Sequence, residues 1–283
     1  MKLYRYWACS ERAIKDIKGN AMLLKKWGGS NDSTEDAAEA ARRAVNALAE
    51  RLLNNPDLLR WPMKKTIRDE YVYGVRDLPE EVIEMLGDDN GITRNRYGCL
   101  VLNTRALLFI DIDFPPLTFG QRIGKLFGKT PPDPKDAALN RLKEWLPRHP
   151  GTGVRIYSTA AGLRYLFTDA PYAVDASALE WMDELGGDAL YRRLCHSQQC
   201  YRARLTPKPW RVEMNAPPNQ YPRDDSQIGA FQRWLSEYES SSRGYATCAL
   251  LEHWGERNIN PDLAPLVAKH DELCRAESRM PLA

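Results

Sequence analysis

The chain of 283 residues contains no long hydrophobic run, no internal repeat and no low-complexity tract. A membrane-spanning helix needs about 20 mainly apolar residues, and no stretch approaches that composition. The first ten residues, MKLYRYWACS, lack the apolar segment of a secretory signal peptide. These absences argue against a membrane or secreted protein, and we expect a soluble protein located in the cytoplasm.

The cysteines do not form the pattern of a disulfide framework. All six are scattered through a long chain, which is typical of reduced thiols (Cys9, Cys99, Cys195, Cys200, Cys248 and Cys274). Cys195 and His196, with Cys200 close behind, resemble part of a zinc site. No second pair of Cys or His residues at a suitable spacing completes that site, so zinc is the weaker interpretation.

Acidic residues are missing from one segment. The net charge of the chain is only +2, but no Asp or Glu lies between Asp188 and Glu213. Six basic residues fall in that interval (Arg192, Arg193, Arg202, Arg204, Lys208 and Arg211). A solvated helix face usually mixes both signs of charge, so the segment predicts a local basic surface. In the alternative interpretation, these cations pair with carboxylates elsewhere in the fold.

Two carboxylates interrupt an apolar segment, residues 107–114, which reads LLFIDIDF. Alternate residues of a strand share one face, so Asp111 and Asp113 are expected on the same side, roughly 7 Å apart. Unpaired buried carboxylates are costly, and a bound Mg²⁺ or Mn²⁺ ion would offset that cost. In the alternative interpretation, one aspartate caps the strand end and the other pairs with an arginine.

Hydrophobic periodicity divides the chain into three regions. Residues 1–91 predict helices, one beginning near Ser33 and a short one over residues 79–86. Residues 92–216 form the central region. Residues 217–283 again predict helices, over residues 228–238 and 245–254. The flanking regions are interpreted as helical additions to a central sheet.

The central region predicts strands and helices in the order β-α-β-β-α-β. An entry strand over residues 97–102 is expected to form a hairpin with the first of these, residues 106–113. The next element is a helix that begins at Asp133 or Asp136 and runs to about residue 145. The remaining elements are predicted at residues 153–158, 163–168, 177–195 and 201–205. This order is that of a ferredoxin-like or RRM-like palm, an antiparallel sheet with both helices on one face and the other face open. The expected fold class is therefore α+β.

Three segments of this region resemble the archaeo-eukaryotic primase superfamily, the primase-polymerases. Residues 108–113, LFIDID, are similar to the metal-binding Asp-x-Asp motif of that family. Residues 158–164, STAAGLR, have the spacing of its second motif, in which a serine and a glycine precede a nucleotide-contacting histidine. Residues 205–210, LTPKPW, are similar to a basic segment that follows its third motif. The resemblance covers roughly residues 97–215.

The resemblance implies a metal-dependent nucleotidyltransferase acting on nucleoside triphosphates and nucleic acid. Asp111 and Asp113 would hold Mg²⁺ or Mn²⁺ together with a third acid. Glu213 is the first candidate for that acid, and Asp175 and Asp188 are the alternatives. The nucleotide is expected to meet four residues in the second motif and the basic segment (Ser158, Arg164, Arg204 and Lys208).

Arg164 stands where the family has histidine. An arginine there keeps a cation for a phosphate, but it removes a group that titrates near neutral pH. The resemblance therefore implies a divergent member in which Arg164 takes part in catalysis as a fixed positive charge.

Four arginines are predicted to bind nucleic acid. Arg94 and Arg96 lie beside Tyr97, a composition suited to single strands, whose phosphates meet arginines and whose bases stack on rings. Arg202 and Arg211 belong to the basic segment. In the alternative interpretation, residues 93–98 form a loop held by side-chain hydrogen bonds.

Two further functions are consistent with the same residues. One is a non-catalytic nucleic-acid-binding or regulatory protein on the same fold. The other is a metal-dependent nuclease or phosphodiesterase. The fold alone licenses none of these chemistries.

Overall fold

The structure, a computed structural model, describes residues 3–15, 19–55, 79–114 and 133–283. Part of the predicted N-terminal helical region, residues 56–78, therefore lies outside the described residues. Within the described ranges, no helix has the length and apolar character needed to cross a bilayer.

The described residues form ten strands and six α-helices. The strands are β1 (Tyr6–Lys15), β2 (Ala21–Ser30), β3 (Glu81–Met85), β4 (Gly91–Arg94), β5 (Leu100–Thr104), β6 (Phe109–Asp113), β7 (Gly153–Thr159), β8 (Gly162–Phe167), β9 (Tyr201–Arg204) and β10 (Cys248–Gly255). The helices are α1 (Thr34–Asn54), α2 (Pro134–Trp145), α3 (Ala176–Glu184), α4 (Ala189–Gln198), α5 (Asp225–Ser242) and α6 (Ala264–Cys274). The predicted α+β class is confirmed.

The N-terminal region is a β-hairpin with one helix packed on it. β1 and β2 pair antiparallel, and α1 begins at Ser33, whose hydroxyl accepts a hydrogen bond from the Asp36 N–H at 3.0 Å. The start of this helix was predicted, whereas the strands were not. The backbones of α1 and β2 lie so close that a Cβ on Gly28 would stand 2.2 Å from the Ala41 nitrogen.

The larger core belongs to a four-stranded antiparallel sheet in the order β10-β7-β8-β6. On one face, the Tyr165 hydroxyl of β8 donates to the Ala138 carbonyl of α2 at 3.0 Å. On the same side, Trp145 of α2 packs against Phe167 and against Trp181 of α3, with ring centroids 5.9 and 5.2 Å away. Helices α2 and α3 therefore cover one face of this sheet, as a ferredoxin-like order predicts.

The opposite face is not open, contrary to the sequence-based expectation. Residues 245–254, predicted as a helix, contain instead strand β10, which pairs with β7. Helix α6 follows and places His270 against Phe109 of β6 and Tyr157 of β7, with ring centroids 5.5 and 5.0 Å away. The helix over residues 228–238 is confirmed within α5.

A second antiparallel sheet has the order β3-β4-β5-β9. The predicted hairpin between residues 97–102 and 106–113 is wrong, because β5 lies in this sheet and β6 in the other. The Thr104 hydroxyl accepts hydrogen bonds from the N–H groups of Ala106 and Leu107 at 3.1 and 3.2 Å, which turns the chain away from β5. The short helix predicted over residues 79–86 is likewise wrong, since strand β3 lies within that segment.

The strand β9 also differs from expectation. In the predicted palm it would pair beside the aspartate strand, but it hydrogen-bonds to β5, with Leu102 opposite Ala203. The predicted helix over residues 177–195 is divided into α3 and α4 at Gly186 and Gly187. Gly186 has φ of +77°, a left-handed conformation that ends α3.

Candidate functional site

Asp111, which is partly exposed, forms an ion pair with the buried side chain of Arg164. The two residues are opposite each other in β6 and β8 and so share one face of the sheet. Arg164 Nε donates to Asp111 Oδ1 at 2.7 Å, and Nη2 donates to Oδ2 at 3.1 Å. Arg164 Nη1 donates to the Arg204 carbonyl at 3.1 Å and lies 3.3 Å from His270 Nε2. The alternative interpretation, in which one aspartate pairs with an arginine, is therefore what the structure contains.

This pairing changes the role expected for Arg164. Its side chain is only 3% exposed, and each of its three nitrogens already has a partner. The contact between Arg164 and a nucleotide phosphate stays a prediction. In the structure the arginine holds Asp111.

Asp113 stands at the exposed end of β6 without such a partner. No ion pair involves this carboxylate in the part of the chain that the structure describes. Partial burial raises its pKa, and the negative charges of Asp111 and Asp188 raise it further. The positive charges of Lys208 and Arg211 act in the opposite direction. The charges of two acids and two cations thus act on Asp113 in opposite directions.

Asp188 is the third acid that the structure brings to this strand. It caps α4, where its Oδ1 accepts from the Tyr191 N–H at 2.6 Å, and its own N–H donates to the Asp111 carbonyl at 2.9 Å. The first candidate, Glu213, lies in an exposed turn with φ of +60°, and Asp175 caps α3 through the Ala178 N–H. The break in the predicted helix thus creates the position of Asp188.

A basic rim, defined as Arg204, Lys208 and Arg211, lies beside Asp113. Burial and the charge of Arg164 lower the pKa of Arg204. Burial and then the charges of Arg204 and Arg211 lower the pKa of Lys208. The Nη1 atoms of Arg204 and Arg211 are buried and have no hydrogen-bond partner among the described residues. A bound anion would reduce the repulsion among these cations and would accept hydrogen bonds from the two Nη1 atoms.

Aromatic side chains border the basic rim. Trp210 is 52% exposed, and its ring lies edge-on to Tyr97 with centroids 5.4 Å apart. Lys208 Nζ lies 5.5 Å from the Trp210 ring, and the Arg96 guanidinium lies 4.7 Å from the Tyr97 ring. The exposed Trp210 ring and the partly buried Tyr97 ring, both next to cations, form a surface on which unpaired bases can stack.

Two of the predicted nucleic-acid-binding arginines serve the fold instead. Arg94 is 9% exposed, donates to the Gly98 carbonyl at 3.0 Å and lies 3.6 Å from Glu81. Arg202 Nη2 donates to both Glu80 oxygens at 2.7 Å. Arg202 thus follows the interpretation in which the cations of the basic segment pair with carboxylates elsewhere. Arg94 follows the interpretation in which residues 93–98 form a loop held by side-chain hydrogen bonds. Arg96 lies beside the Tyr97 ring, and Arg211 follows Trp210 in sequence.

Ser158 is separated from the other predicted nucleotide contacts. The register pairs Ser158 with Leu163, whereas Tyr157 pairs with Arg164. Because neighbouring residues of a strand point to opposite faces, Ser158 faces away from Arg164 and the aspartates. The glycine of the same motif, Gly162, is explained by packing, since a Cβ there would stand 1.8 Å from the Ile112 carbonyl oxygen.

A further cluster was missed by the sequence analysis. Cys248, His270 and Cys274 are buried, and one potential ligand atom from each lies within 4.8 Å of the others. The zinc interpretation had been attached to Cys195, His196 and Cys200, which form no such group in the described chain. The spacing of His270 and Cys274, four residues apart on a helix face, was the available signal.

The candidate site therefore centres on Asp113, whose pKa Asp111 and Asp188 raise and Lys208 and Arg211 lower. Among the described residues, the ligand atoms of Asp111, Asp113 and Asp188 do not form a group within 4.8 Å of one another. Carboxylates suit a hard divalent cation, and the basic rim suits phosphate. Comparison of the chain with protein-family models, with curated proteins and with solved structures gives no match. The geometry of the site thus carries the functional interpretation.

Proposed function

We propose that the protein is a metal-dependent nucleotidyltransferase of primase-polymerase type, acting on nucleoside triphosphates and single-stranded nucleic acid. The observation that carries the proposal is the basic rim, with buried guanidinium nitrogens that lack partners in the described chain, beside Asp113. Buried donors without acceptors cost free energy, so their persistence favours a site built for a multiply charged anion.

The triphosphate is the anion that best matches this charge pattern. Arg204 and Arg211 offer forked donors for phosphate oxygens, and Lys208 offers a point charge between them in sequence. Binding a polyanion there would raise the lowered pKa values of Arg204 and Lys208, because their mutual repulsion would be neutralised. Trp210 and Tyr97 would then receive bases of a nucleic-acid strand.

In this proposal Asp113 would share a Mg²⁺ or Mn²⁺ ion with the substrate phosphates. Mg²⁺ is commonly held by one or two carboxylates together with substrate phosphate oxygens. Asp113 has no ion pair among the described residues, and the charge of Asp188 acts on it. Each Asp111 oxygen retains acceptor capacity beyond its bond to Arg164. Such an ion would neutralise charge on the transferring phosphoryl group.

In this proposal the protein's own residues position the reacting groups. Asp111 is fixed by Arg164, which keeps the end of β6 in place, and Asp113 and Asp188 face the phosphates that the basic rim holds. The element order β6-α2-β7-β8-α3-α4-β9 supports a ferredoxin-like palm, with β9 displaced into the second sheet. The resemblance to primase-polymerases motivates the choice of nucleotidyl transfer over other phosphate chemistry.

A second candidate is a non-catalytic protein that binds nucleic acid or nucleotides at the same surface. The observation that favours it is the Asp111–Arg164 pair, because Arg164 donates to both carboxylate oxygens that a second metal ion would use. Binding at the basic rim needs neither that aspartate nor a metal.

An extension assay separates these functions. Wild-type protein with Mn²⁺, labelled nucleoside triphosphates and a primed single-stranded template is expected to give longer product and pyrophosphate. Asp113→Asn is expected to abolish extension, and Asp188→Asn should reduce it while preserving the helix cap, since Asn also caps well. Arg193→Ala, an exposed cation on α4, is the matched control and should extend normally.

Three outcomes would contradict the transferase. A labelled strand that becomes shorter without any triphosphate would indicate a nuclease. A strand that is bound but unchanged with both Mg²⁺ and Mn²⁺ would indicate the non-catalytic binder. Extension that survives Asp113→Asn would place the chemistry elsewhere in the chain.

A further inference from the structure

The core beneath the Asp111–Arg164 pair contains two thiols and an imidazole that the proposed function does not use. Cys248, His270 and Cys274 are each 0% exposed. One ligand atom from each residue lies within 4.8 Å of the other two. In a tetrahedral zinc site the sulfur atoms stand roughly 3.8 Å apart, as follows from Zn–S bonds of about 2.3 Å. Small side-chain movements would therefore bring the three atoms onto one ion.

The backbone holds these residues in place from two elements. His270 and Cys274 lie four residues apart on α6 and so share a face of that helix. Cys248 is the first residue of β10, and the preceding N–H, from Thr247, donates to the Cys274 carbonyl at 3.0 Å. A metal ion here would join the start of the strand to the end of the helix.

The surroundings of His270 have the arrangement found around metal-bound histidines. Its Nδ1 is hydrogen-bonded to Asp271 Oδ1 at 2.9 Å, which leaves Nε2 as the ligand atom. The Asp271 carboxylate also accepts from the Tyr157 hydroxyl at 2.7 Å and from Arg155. The carboxylate is thus fixed, and the rings of Phe109 and Tyr157 hold the imidazole between them.

We propose that Cys248, His270 and Cys274 bind one Zn²⁺ ion, with a structural role. Soft thiolates and a neutral imidazole are the donors that zinc prefers, and two thiolates balance the charge of the ion. The neighbouring cation, Arg164, is already balanced by Asp111.

A tetrahedral zinc site needs a fourth ligand, and Arg164 lies beside the three residues of the cluster. The Arg204 carbonyl oxygen lies 3.7 Å from Cys274 Sγ and is one source of a fourth ligand, a water molecule being the other. Arg164 Nη1, now 3.3 Å from His270 Nε2, would turn to donate to a thiolate sulfur once the imidazole binds the ion. The zinc-bound thiolate would thus hold Arg164 in place by a hydrogen bond. Arg164 in turn holds Asp111.

The test is metal content combined with cobalt substitution. Wild-type protein purified without chelator is expected to contain one zinc per chain by mass spectrometry after acid denaturation. Cys248→Ser, Cys274→Ser and His270→Gln should each lose most of it. Cys195→Ser changes another buried cysteine outside the group, and this control should keep a full equivalent. A mercurial reagent should release the zinc from folded wild-type protein, which covers the case in which the variants fail to fold.

The spectroscopic measurement identifies the ligands independently. Wild-type protein stripped of metal and given Co²⁺ should show the visible bands of tetrahedral cobalt and a thiolate charge-transfer band, both absent in Cys274→Ser. Chelation should lower the Tm by about 5 °C or more, since a ligand that binds only the folded state stabilises it. Zinc-free protein that takes up no Co²⁺, or a Cys248–Cys274 disulfide found by peptide mapping of freshly purified protein, would overturn the proposal.

Discussion

Two aspartates two residues apart on β6 have opposite surroundings. Asp111 is held by Arg164, whose three nitrogens each have a partner, over a buried core. Asp113 faces solvent, has a raised pKa and adjoins the basic rim, in which guanidinium nitrogens of Arg204 and Arg211 have no partner in the described chain. The charge of Asp111 is therefore paired, whereas that of Asp113 has no ion-pair partner among the described residues.

This difference separates structural from functional charge. A carboxylate paired with an arginine contributes to the fold, and removing one partner leaves the other buried and alone. Charges left unpaired at an accessible edge cost stability, which proteins tolerate where a ligand completes them. We therefore expect mutations of the two aspartates to affect stability in opposite directions.

The largest effect is expected from Asp111→Asn. It leaves the Arg164 guanidinium, only 3% exposed, without a counter-charge and should destabilise the protein by about 3 kcal/mol. Denaturant unfolding should show a lower midpoint with an unchanged slope. The double variant Asp111→Asn with Arg164→Met should recover most of the loss, because it removes the isolated charge. A midpoint within error of wild type would mean that the pair does not support the fold.

The next effect concerns ligand affinity at the basic rim. Lys208→Gln and Arg211→Ala should each weaken nucleoside triphosphate binding by about tenfold, which corresponds to about 1.4 kcal/mol for one charge-assisted contact. Lys208→Gln should at the same time leave the Tm unchanged or raise it, because burial and like charges already lower the pKa of this lysine. Isothermal calorimetry and thermal unfolding measure the two quantities, with Arg193→Ala as control. If all three variants bind the nucleotide as tightly as wild type, the phosphates do not bind at the basic rim.

A smaller effect is expected where the aromatic surface meets a single strand. Trp210→Ala should cost about 1 kcal/mol of binding free energy, since it removes one stacking surface, and should leave the salt dependence unchanged. Arg96→Ala should instead reduce the slope of log affinity against log salt by about 0.7, the value for one released counterion. Fluorescence anisotropy over a salt series distinguishes the two. A salt slope that changes with Trp210 would indicate a displaced basic rim and no stacking.

The smallest effect is expected from Asp113→Asn on stability. The raised pKa means that the ionised carboxylate destabilises the folded state above its folded pKa, and that this cost disappears below the unfolded pKa. Without metal at pH 7, the variant should melt about 1–3 °C above wild type, and the difference should vanish as the pH falls through the carboxyl range. A lower Tm than wild type at pH 7 would show that Asp113 has an attractive partner.

The sequence predicted local features better than their arrangement. The aspartate strand, α2, the strand pair around Gly162 and β9 follow periodicity and turn residues that neighbours along the chain determine. The missed hairpin β1-β2 joins neighbouring segments, but the prediction interpreted the whole N-terminal region as helical. The missed strand β10 depends on β7, a partner far away in sequence. The same holds for β5, which pairs with β4 and β9 because the chain turns at Thr104.

The candidate site was predictable in composition but not in pairing. An apolar strand with Asp111 and Asp113, followed by a segment without acids, indicated carboxylates and cations near each other. Which aspartate is paired follows from the register that places Arg164 opposite Asp111, and register depends on tertiary contacts. Asp188 enters the site only because two glycines end α3 before it, a signal that a periodicity argument passes over.

The most direct test of the central claim is a crystal structure of the protein with Mn²⁺ and a non-hydrolysable nucleoside triphosphate. The account predicts an anomalous manganese peak at Asp113, with Asp188 or Asp111 as a second carboxylate. The phosphates should contact Arg204, Lys208 and Arg211, and the Asp111–Arg164 pair should be intact. A nucleotide bound away from the basic rim, or crystals that at saturating concentration show neither manganese at Asp113 nor phosphate at the rim, would contradict it.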